Sequence, residues 1–388
     1  MKFINTLGRI FYTELKTIFT DGGAILLFLV ASFAYPVIYS VAYMNEVLED
    51  VPVCVVDLDN TTSSRELIKY MDASSEVAVT CAANSTKEAK NVLDKGDVNA
   101  IFRIPSGFEK KLIAQTQSPV SIYCDGAYFL YYKAAQKALL KATSVMSAKI
   151  EVKRLMNRGV DYNSAKDSAS LMDIKVFNEY NPAGGYGSFL MPGIIFLILQ
   201  QTLLIGIGLL GGSMKEKNLF RFYKVYDNNK GGIKALILGK SLAYTTVYVF
   251  NFVLSLVVLN DIFGFPEKGL FIDQLAVTIP YLLAVSFLGL ALSTLFKTRV
   301  HSLMFLVFLS PLLLFMSGVS WPIESIPMSL RTIISVFPSQ FAIPAFLRIK
   351  VMGVALERVS WELIMILIQM TIYFFLACFA YKKAIHKK

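Results

Sequence analysis

Histidine is almost absent from this chain, which contains only His301 and His386. Neither lies in residues 44–187, the long polar part of the sequence. Histidine is the side chain that most often binds a metal or exchanges a proton near neutral pH. Its absence therefore excludes a histidine-based metal or acid–base site from this part of the chain.

Cysteine is nearly as scarce, with four in the chain: Cys54, Cys81, Cys124 and Cys378. The first three fall in predicted strands and the fourth in the last apolar segment. Three cysteines in one region leave at least one without a disulfide partner. A Cys54–Cys124 disulfide is one alternative. Buried free thiols are the favoured interpretation, because free cysteine is usually buried.

Phosphate-binding and catalytic patterns are missing as well. Gly239 and Lys240 lack the upstream glycine of a Walker A loop. Asp57, Asp59 and Asp125 follow predicted strands, and we interpret them as caps of strand ends and turns rather than as a carboxylate site. The sequence also offers no nucleophile–base pair, so it predicts no enzyme activity, no bound metal and no cofactor on this chain.

Long apolar runs, by contrast, are abundant: 55% of the residues are hydrophobic and the mean hydropathy is +0.54. Six runs have about the 20 residues that a helix needs to cross a bilayer. They are residues 24–43, 189–211, 235–259, 274–296, 301–320 and 361–381. The first is not a cleavable signal peptide, because it contains Pro36 and no small-residue cleavage site follows it. The sequence thus predicts an integral membrane α-helical protein with six transmembrane helices.

The net charge of +10 is unevenly distributed. Residues 44–187 contain 17 basic and 18 acidic residues, so the excess lies in the rest of the chain. There it is concentrated at alternate ends of the predicted helices, which the positive-inside rule assigns to the cytoplasm. We therefore expect both termini in the cytoplasm and residues 44–187 outside it. Topology explains the basic residues, so we expect no nucleic-acid binding.

Acidic residues and arginine are missing from the middle of the apolar runs. Ion-coupled transporters carry ionisable groups there, so we expect any transport by this chain to be driven from elsewhere. The polar exceptions include Gln200, Gln201 and Asn251. Hydrogen bonding between helices is the favoured interpretation of all three, and contact with a substrate path is the alternative.

Residues 44–187 are predicted to fold as an α/β domain. Short β-branched runs typical of strands occupy residues 51–56, 76–82, 98–104 and 119–124. Capping-box patterns follow the first three runs, namely Ser63 with Glu66, Ser85 with Glu88 and Ser106 with Glu109. Residues 127–177 have apolar positions at three- and four-residue spacing, which predicts one or two long helices packed on the sheet.

Two segments are predicted to be helical without crossing the membrane. Residues 1–23 form an amphipathic helix, with Arg9 and Lys16 away from its apolar side, that would lie at the cytoplasmic interface. Residues 322–360, within the membrane region 188–388, contain four prolines between short apolar pieces. They predict a re-entrant hairpin that dips into the outer leaflet.

Several stretches resemble ABC-2 type exporter permeases, in particular multidrug-efflux members with a long extracytoplasmic loop after the first helix. Three stretches resemble the outer domain of these permeases: VPVCVVDLDNTTSSRELIKYM (51–71), AKNVLDKGDVNAIFRIPSGFEKKL (89–112) and PVSIYCDG (119–126). One stretch resembles the entry into their second helix: EYNPAGGYGSFLMPGIIFLILQQTLLIGIGLL (179–210). Another resembles their fifth helix and outer hairpin: FLSPLLLFMSGVSWPIESIPMSLRTIISVFPSQFAIPAFLR (308–348).

The resemblance implies a permease that dimerises with itself or with a sibling chain and pairs with a separate cytoplasmic ATPase, which binds the ATP. It assigns ATPase coupling to the loop 214–232 and to the N-terminal helix. Glu216 matches an acidic position of the family pattern, and residues 218–221 depart from the usual Gly-Thr-Leu-Glu continuation. The candidate coupling residues are Glu216, Lys217, Phe220, Arg221, Phe222 and Tyr223.

We therefore expect the membrane subunit of an ATP-driven exporter in a bacterial inner membrane. It would move a lipophilic, drug-like or lipid-like substrate out of the cytoplasm or the inner leaflet. An extracytoplasmic adaptor protein and membrane lipid are further expected partners. The alternative is a non-transporting sensor or scaffold whose outer domain binds an envelope partner. The hairpin in residues 308–348 favours transport, because a sensor has no need of a re-entrant plug.

Overall fold

The computed structural model describes residues 2–169, 179–182, 184–227 and 232–386. The chain divides into a helical unit, residues 1–46 and 178–388, and a sheet unit, residues 47–177. The end of the predicted helical region 127–177 and residues 228–231 of the predicted coupling loop lie outside the described residues.

Four strands form the centre of the sheet unit. They are β1 (Val51–Asp57), β2 (Val77–Ala82), β3 (Ala100–Ile104) and β4 (Ser121–Cys124), in the order β2-β1-β3-β4. β1 is parallel to β2 and β3, whereas β4 is antiparallel to β3. The helices Thr62–Asp72, Thr86–Lys95 and Phe108–Ile113 follow β1, β2 and β3. This alternation of strands and helices is the α/β arrangement that the sequence pattern predicts.

Two helices follow β4, namely Phe129–Met156 and Tyr162–Ala169. The longer one buries a stripe of small and apolar residues at three- and four-residue spacing: Ala134, Ala135, Ala138, Leu139, Ala142 and Met146. This stripe packs against strand residues such as Val53 and Phe102. The expected packing of the region on the sheet is therefore confirmed for the described residues.

Two of the three predicted capping boxes are wrong. The helix Thr62–Asp72 is capped by Thr61 and Ser64 rather than by Ser63 and Glu66. The helix Phe108–Ile113 begins after Gly107, at φ +76°, without a cap from Ser106. Its cap comes instead from Asp59, whose carboxylate accepts from the backbone nitrogens of Phe108 and Glu109 at 2.9 Å. Contacts between residues about fifty positions apart are invisible to a local pattern.

The disulfide of the sheet unit joins Cys54 and Cys81, which corrects both alternatives drawn from the sequence. Parallel pairing sets Cys54 of β1 beside Cys81 of β2. Cys124 lies on β4, which pairs with β3, and it is free, as is Cys378. Strands lie about 4.8 Å apart, so two strand spacings exceed the Cα separation that a disulfide spans. The strand order therefore rules out the Cys54–Cys124 pairing.

Six helices of the helical unit are long and apolar enough to cross a membrane, counted over the described residues. Numbered as spans 1 to 6, they are Gly22–Ala42, Tyr186–Glu216, Gly232–Ile262, Phe271–Ser293, Arg299–Met316 and Leu356–His386. Spans 2, 3 and 6 have 31 residues, because each helix continues past its apolar stretch into polar residues. The number of spans agrees with the sequence prediction, whereas the ends differ by several residues.

Span 2 is the centre of the bundle. Of its most apolar stretch 94% is buried, against 28% in span 1 and 22% in spans 5 and 6. The Phe196 ring of span 2 lies 4.9 Å from that of Tyr281 and 4.3 Å from that of Phe346. Close approach depends on Gly206, where a Cβ atom would lie 2.5 Å from the Phe28 ring of span 1. Small residues of this kind allow helices to pack closely in membranes.

The segment between spans 5 and 6 contains a bent helix pair, Met328–Ile334 and Ser339–Lys350, with 90° between the two helices. Short 3₁₀ turns at Ile323–Ser325 and Leu356–Val359 flank the pair. Such a pair is either a broken span or a re-entrant loop. The predicted hairpin 322–360 therefore has the helical form expected of it, and its depth in the membrane stays a prediction.

The N-terminal helix runs from Lys2 to Thr20 and packs on span 3. Its buried residues are Ile10, Glu14 and Ile18, which repeat every four positions on one side. Two aromatic residues of the same helix, Phe3 and Phe19, are exposed. Part of the apolar side is therefore covered by the protein itself, because span 3 offers an apolar surface of its own.

Candidate functional site

The predicted coupling loop begins where span 2 ends. Asn218 has φ +54°, a left-handed conformation that Asn tolerates better than most residues and that stops the helix. A 3₁₀ turn at Leu219–Tyr223 and a helical turn at Lys224–Asp227 follow. The loop therefore has a folded first half, and its residues 228–231 lie outside the described part.

Four of the candidate coupling residues are exposed, namely Glu216 at the end of span 2 and Lys217, Arg221 and Phe222 after it. The Phe222 side chain is 61% exposed, and the Arg221 guanidinium lies 5.4 Å from the centre of its ring. An exposed aromatic ring beside a guanidinium is a surface that a second protein can cover, since aromatic residues and arginine are enriched in interfaces.

Phe220 and Tyr223 point the other way and hold the loop on the bundle. The ring of Phe220, only 5% exposed, lies 5.5 Å from that of Tyr381 in span 6. The Tyr223 ring lies 6.4 Å from both of these rings. Burial raises the pKa of Tyr223, so its phenol stays neutral. Phe220 is therefore not accessible to a groove on a partner, and it anchors the loop instead.

Glu216 joins the end of span 2 to the start of span 5. Its carboxylate accepts a hydrogen bond from the backbone nitrogen of Arg299, at 3.3 Å. The guanidinium of Arg299 in turn donates two bonds to Asp21, at 3.0 and 2.8 Å. Asp21 also caps span 1, because it accepts from the backbone nitrogens of Gly23 and Ala24 at 3.0 Å. The candidate Glu216 is thus part of a network that links three spans.

The pKa of Asp21 reflects this network. Partial burial acts to raise the pKa, but the hydrogen bonds and charge of Arg299, together with the backbone donors, outweigh it and hold the pKa below its usual value. The Asp21 and Arg299 side chains are 25% and 34% exposed, so water partly screens the pair.

Glu14 is a residue that the sequence analysis missed. Its carboxylate lies 2.6 Å from the ammonium of Lys240 in span 3 and accepts a hydrogen bond from the Tyr244 hydroxyl. The signal was available: Glu14 interrupts an apolar stripe exactly four residues after Ile10 and four before Ile18. A carboxylate in that position needs a buried partner.

The three candidate substrate-path residues bond to three different helices. The Gln200 amide donates to the Ser339 hydroxyl at 3.0 Å and accepts from its backbone nitrogen at 3.1 Å. Gln201 accepts from Ser310 of span 5 at 3.0 Å. Asn251 donates to the carbonyl of Phe28 in span 1 at 2.6 Å. Hydrogen bonding between helices, the favoured interpretation, is therefore observed for all three.

In the described residues, five apolar spans pack around the central span 2, and a folded loop follows span 2, which defines a multi-pass α-helical membrane protein. The profile of the ABC-2 family transporter protein matches residues 23–379. This match covers most of the chain, so the protein belongs to the ABC-2 transporter family. Members of this family are membrane subunits of transporters and work with an ABC ATPase. The chain matches no curated protein.

Proposed function

We propose that this chain is the permease subunit of an exporter driven by ATP hydrolysis on a separate cytoplasmic ATPase. The observation that carries the proposal is the two-sided loop after span 2. Arg221 and Phe222 are exposed to a partner, while Phe220 and Tyr223 are anchored on the spans. The five residues Leu219–Tyr223 have both properties, so a partner that displaces this segment also displaces the helices on which it is anchored.

The loop and both termini lie in the cytoplasm of a bacterial cell in this proposal, and residues 47–177 lie outside it. The distribution of basic residues supports this orientation. The Cys54–Cys81 disulfide supports it independently, because disulfides persist in oxidising compartments and are rare in the cytosol.

The substrate is lipophilic, either drug-like or lipid-like, and the permease works as a dimer. Spans 1, 5 and 6 bury less than a third of their most apolar stretches, so lipid and a second permease chain have a large apolar surface to cover. The polar side chains of Gln200 and Asn251 form hydrogen bonds between helices. A path through such a bundle suits an apolar substrate better than an ionic one.

An extracytoplasmic adaptor protein is a further proposed partner. Tyr128 and Phe129, at the start of the long helix of the sheet unit, are 60% and 63% exposed. The ammonium of Lys133 lies 5.5 Å from the Phe129 ring. Exposed aromatic rings of this kind are enriched in protein interfaces.

The test is purification of the chain in mild detergent with identification of the proteins that co-elute. We expect a stoichiometric ATPase with Walker motifs, lost when Lys217→Glu, Arg221→Glu and Phe222→Ser are combined. The matched control combines Lys111→Glu with Ile113→Ser, which alters an exposed cation and an exposed apolar side chain of the sheet unit outside the proposed adaptor surface and is expected to keep the ATPase. No ATPase in the wild type, or its full retention by the loop variant, would contradict the proposal.

Transport is tested on inside-out membrane vesicles with two probes, rhodamine 6G and a fluorescent phospholipid. We expect ATP-dependent accumulation or translocation of one of them. The loop variant should abolish it, and the sheet-unit control should not. Failure with both probes, in vesicles that retain ATPase activity, would contradict the proposed substrate class.

A further inference from the structure

Glu14 and Lys240 form a deeply buried ion pair of the helical unit, with 2.6 Å between the ammonium nitrogen and the carboxylate oxygen. The side chains are 7% and 3% exposed. Tyr244, one turn further along span 3, donates its hydroxyl to the same carboxylate. Loss of one partner leaves a charge in a place that water does not reach, which is far more costly than loss of an exposed partner. The pair therefore resists separation.

The backbones of the two helices also approach each other closely here. Gly239 precedes Lys240, and a Cβ atom at this position would lie 3.0 Å from the carbonyl oxygen of Leu7 and 2.9 Å from the side chain of Ile10. Ile10 and Ile18 flank Glu14 on the buried side. The N-terminal helix is thus held to span 3 by close packing and by a shielded charge pair at the same point.

The loop is attached less firmly to the same place. The Lys240 ammonium lies 5.7 Å from the centre of the Tyr223 ring, and Tyr223 and Phe220 contact Tyr381 through their rings. Aromatic and cation–π contacts of this kind are individually weak and tolerate small shifts. One ammonium therefore makes a strong contact with the N-terminal helix and a weak contact with the loop.

We infer that Glu14 and Lys240 are a positioning pair that makes the N-terminal helix and span 3 move as one body, while the loop shifts against that body. The inference rests on the proposed function, because it concerns the motion that the ATPase would cause. A displacement of the N-terminal helix by the ATPase then moves span 3 directly. A displacement of the loop moves span 6 through Phe220.

Spin-label distances in the complex with its ATPase test the motion. One pair of labels is placed at Thr13 and Thr246, exposed positions on the N-terminal helix and span 3, in a background without the free cysteines. The second pair joins Lys224, an exposed loop position that is not among the candidate coupling residues, to Thr246. Between the nucleotide-free and vanadate-trapped states we expect the first distance to stay constant and the second to change by about 2 Å or more, the scale of helix shifts. A change in the first, or none in the second, would overturn the inference.

Substitutions test the role of the charges. Glu14→Gln and Lys240→Met should each broaden the distribution of the first spin-label distance. Each should also lower ATP-driven transport, measured with whichever of the two probes the wild type transports, at least about fivefold, a typical coupling effect. Basal ATP hydrolysis should persist. The exchanged pair, Glu14→Lys with Lys240→Glu, should narrow the distribution of this distance again and restore transport. Asp21→Asn, which breaks the partly exposed pair of Asp21 and Arg299, is the matched control and should leave the first distance unchanged.

Each result bears on one proposal only. If the wild-type complex contains no ATPase, the proposed function fails. If the wild type transports one of the probes but the exchanged-pair variant keeps a broad distance distribution and does not transport, the charges do not act by pairing and the inference fails. Unchanged distance and transport in both single variants would overturn it as well.

Discussion

The two units of the protein each contain a buried carboxylate, and the two are stabilised differently. Glu76 in the sheet unit pairs with Lys137 and Lys141 at 2.9 and 2.5 Å, and those lysines are 60% and 52% exposed. Glu14 in the helical unit pairs with Lys240, which is 3% exposed. Exposed lysines can return to water when their partner is lost, whereas Lys240 cannot. Partner burial, rather than the burial of the acid, therefore sets the strength of each pair.

The largest expected effect follows from replacing the buried lysine. Lys240→Met leaves the Glu14 carboxylate without its counter-ion, so we expect a loss of about 3–5 kcal/mol in the free energy of unfolding. The measurement is denaturant or thermal unfolding of the purified full chain in detergent micelles. The double variant Glu14→Gln with Lys240→Met removes both charges, so its free energy of unfolding should be close to that of the wild type. A single variant as stable as the wild type would show that water reaches this pair.

Much of the fold could be predicted from local patterns. Apolar runs of about 20 residues gave the number of spans, and β-branched runs gave the four strands, because both signals repeat within a short stretch of sequence. The disulfide could not be predicted, since it depends on the order of strands in the sheet. The predicted cap at Ser106 failed for a related reason, because the helix Phe108–Ile113 is capped by Asp59, about fifty positions away. The Ser85 cap, which depends on a local contact with Glu88, was correct.

The candidate site was only half predictable. The resemblance to ABC-2 permeases assigned six candidate coupling residues to one loop. It could not tell which rings point outward, and Phe220 is buried against span 6. The Glu14–Lys240 pair joins residues 226 positions apart. A charge within an apolar stripe signals that a partner exists, and only the packed structure identifies it.

A smaller effect is expected for the corresponding acid of the sheet unit. Partial burial acts to raise the pKa of Glu76, but the hydrogen bonds and charges of Lys141 and Lys137 outweigh it and lower the pKa below its usual value. The stabilisation is therefore fully present above the usual value of 4.5, and it is lost as the pH falls through the lowered pKa. We expect Glu76→Gln to cost about 1 kcal/mol at pH 7, because the lysines stay hydrated.

The measurement is hydrogen exchange of the β1 and β2 amides in the full chain, with and without the substitution. The difference between wild type and Glu76→Gln should shrink as the pH is lowered below 4.5. Exchange in span 3 serves as the control and should be unaffected. A loss as large as that of Lys240→Met would mean that the two lysines are shielded from water after all.

The smallest effect is expected for the charge of Asp21 alone, and two substitutions at this position separate the ion pair from the helix cap. Asp21→Asn removes the charge that faces Arg299 but keeps an oxygen for the backbone nitrogens of Gly23 and Ala24, so we expect a loss of at most about 1 kcal/mol. Asp21→Ala removes the cap too and should cost about 1 kcal/mol more. Because the pKa of Asp21 is lowered, the contribution of the charge is lost as the pH falls through that lowered value.

Unfolding of the full chain in detergent at low and high salt measures the contributions of the ion pair and of the helix cap to the free energy of unfolding. Salt screens an exposed pair, so the effect of Asp21→Asn should decrease at high ionic strength, whereas the extra cost of Asp21→Ala should not. The effect of Lys240→Met should also be insensitive to salt, because ions do not reach a pair that is 3–7% exposed. If Asp21→Asn were as costly as Lys240→Met and equally insensitive to salt, exposure would not distinguish the two pairs. The stronger attachment of span 3 would then need another cause.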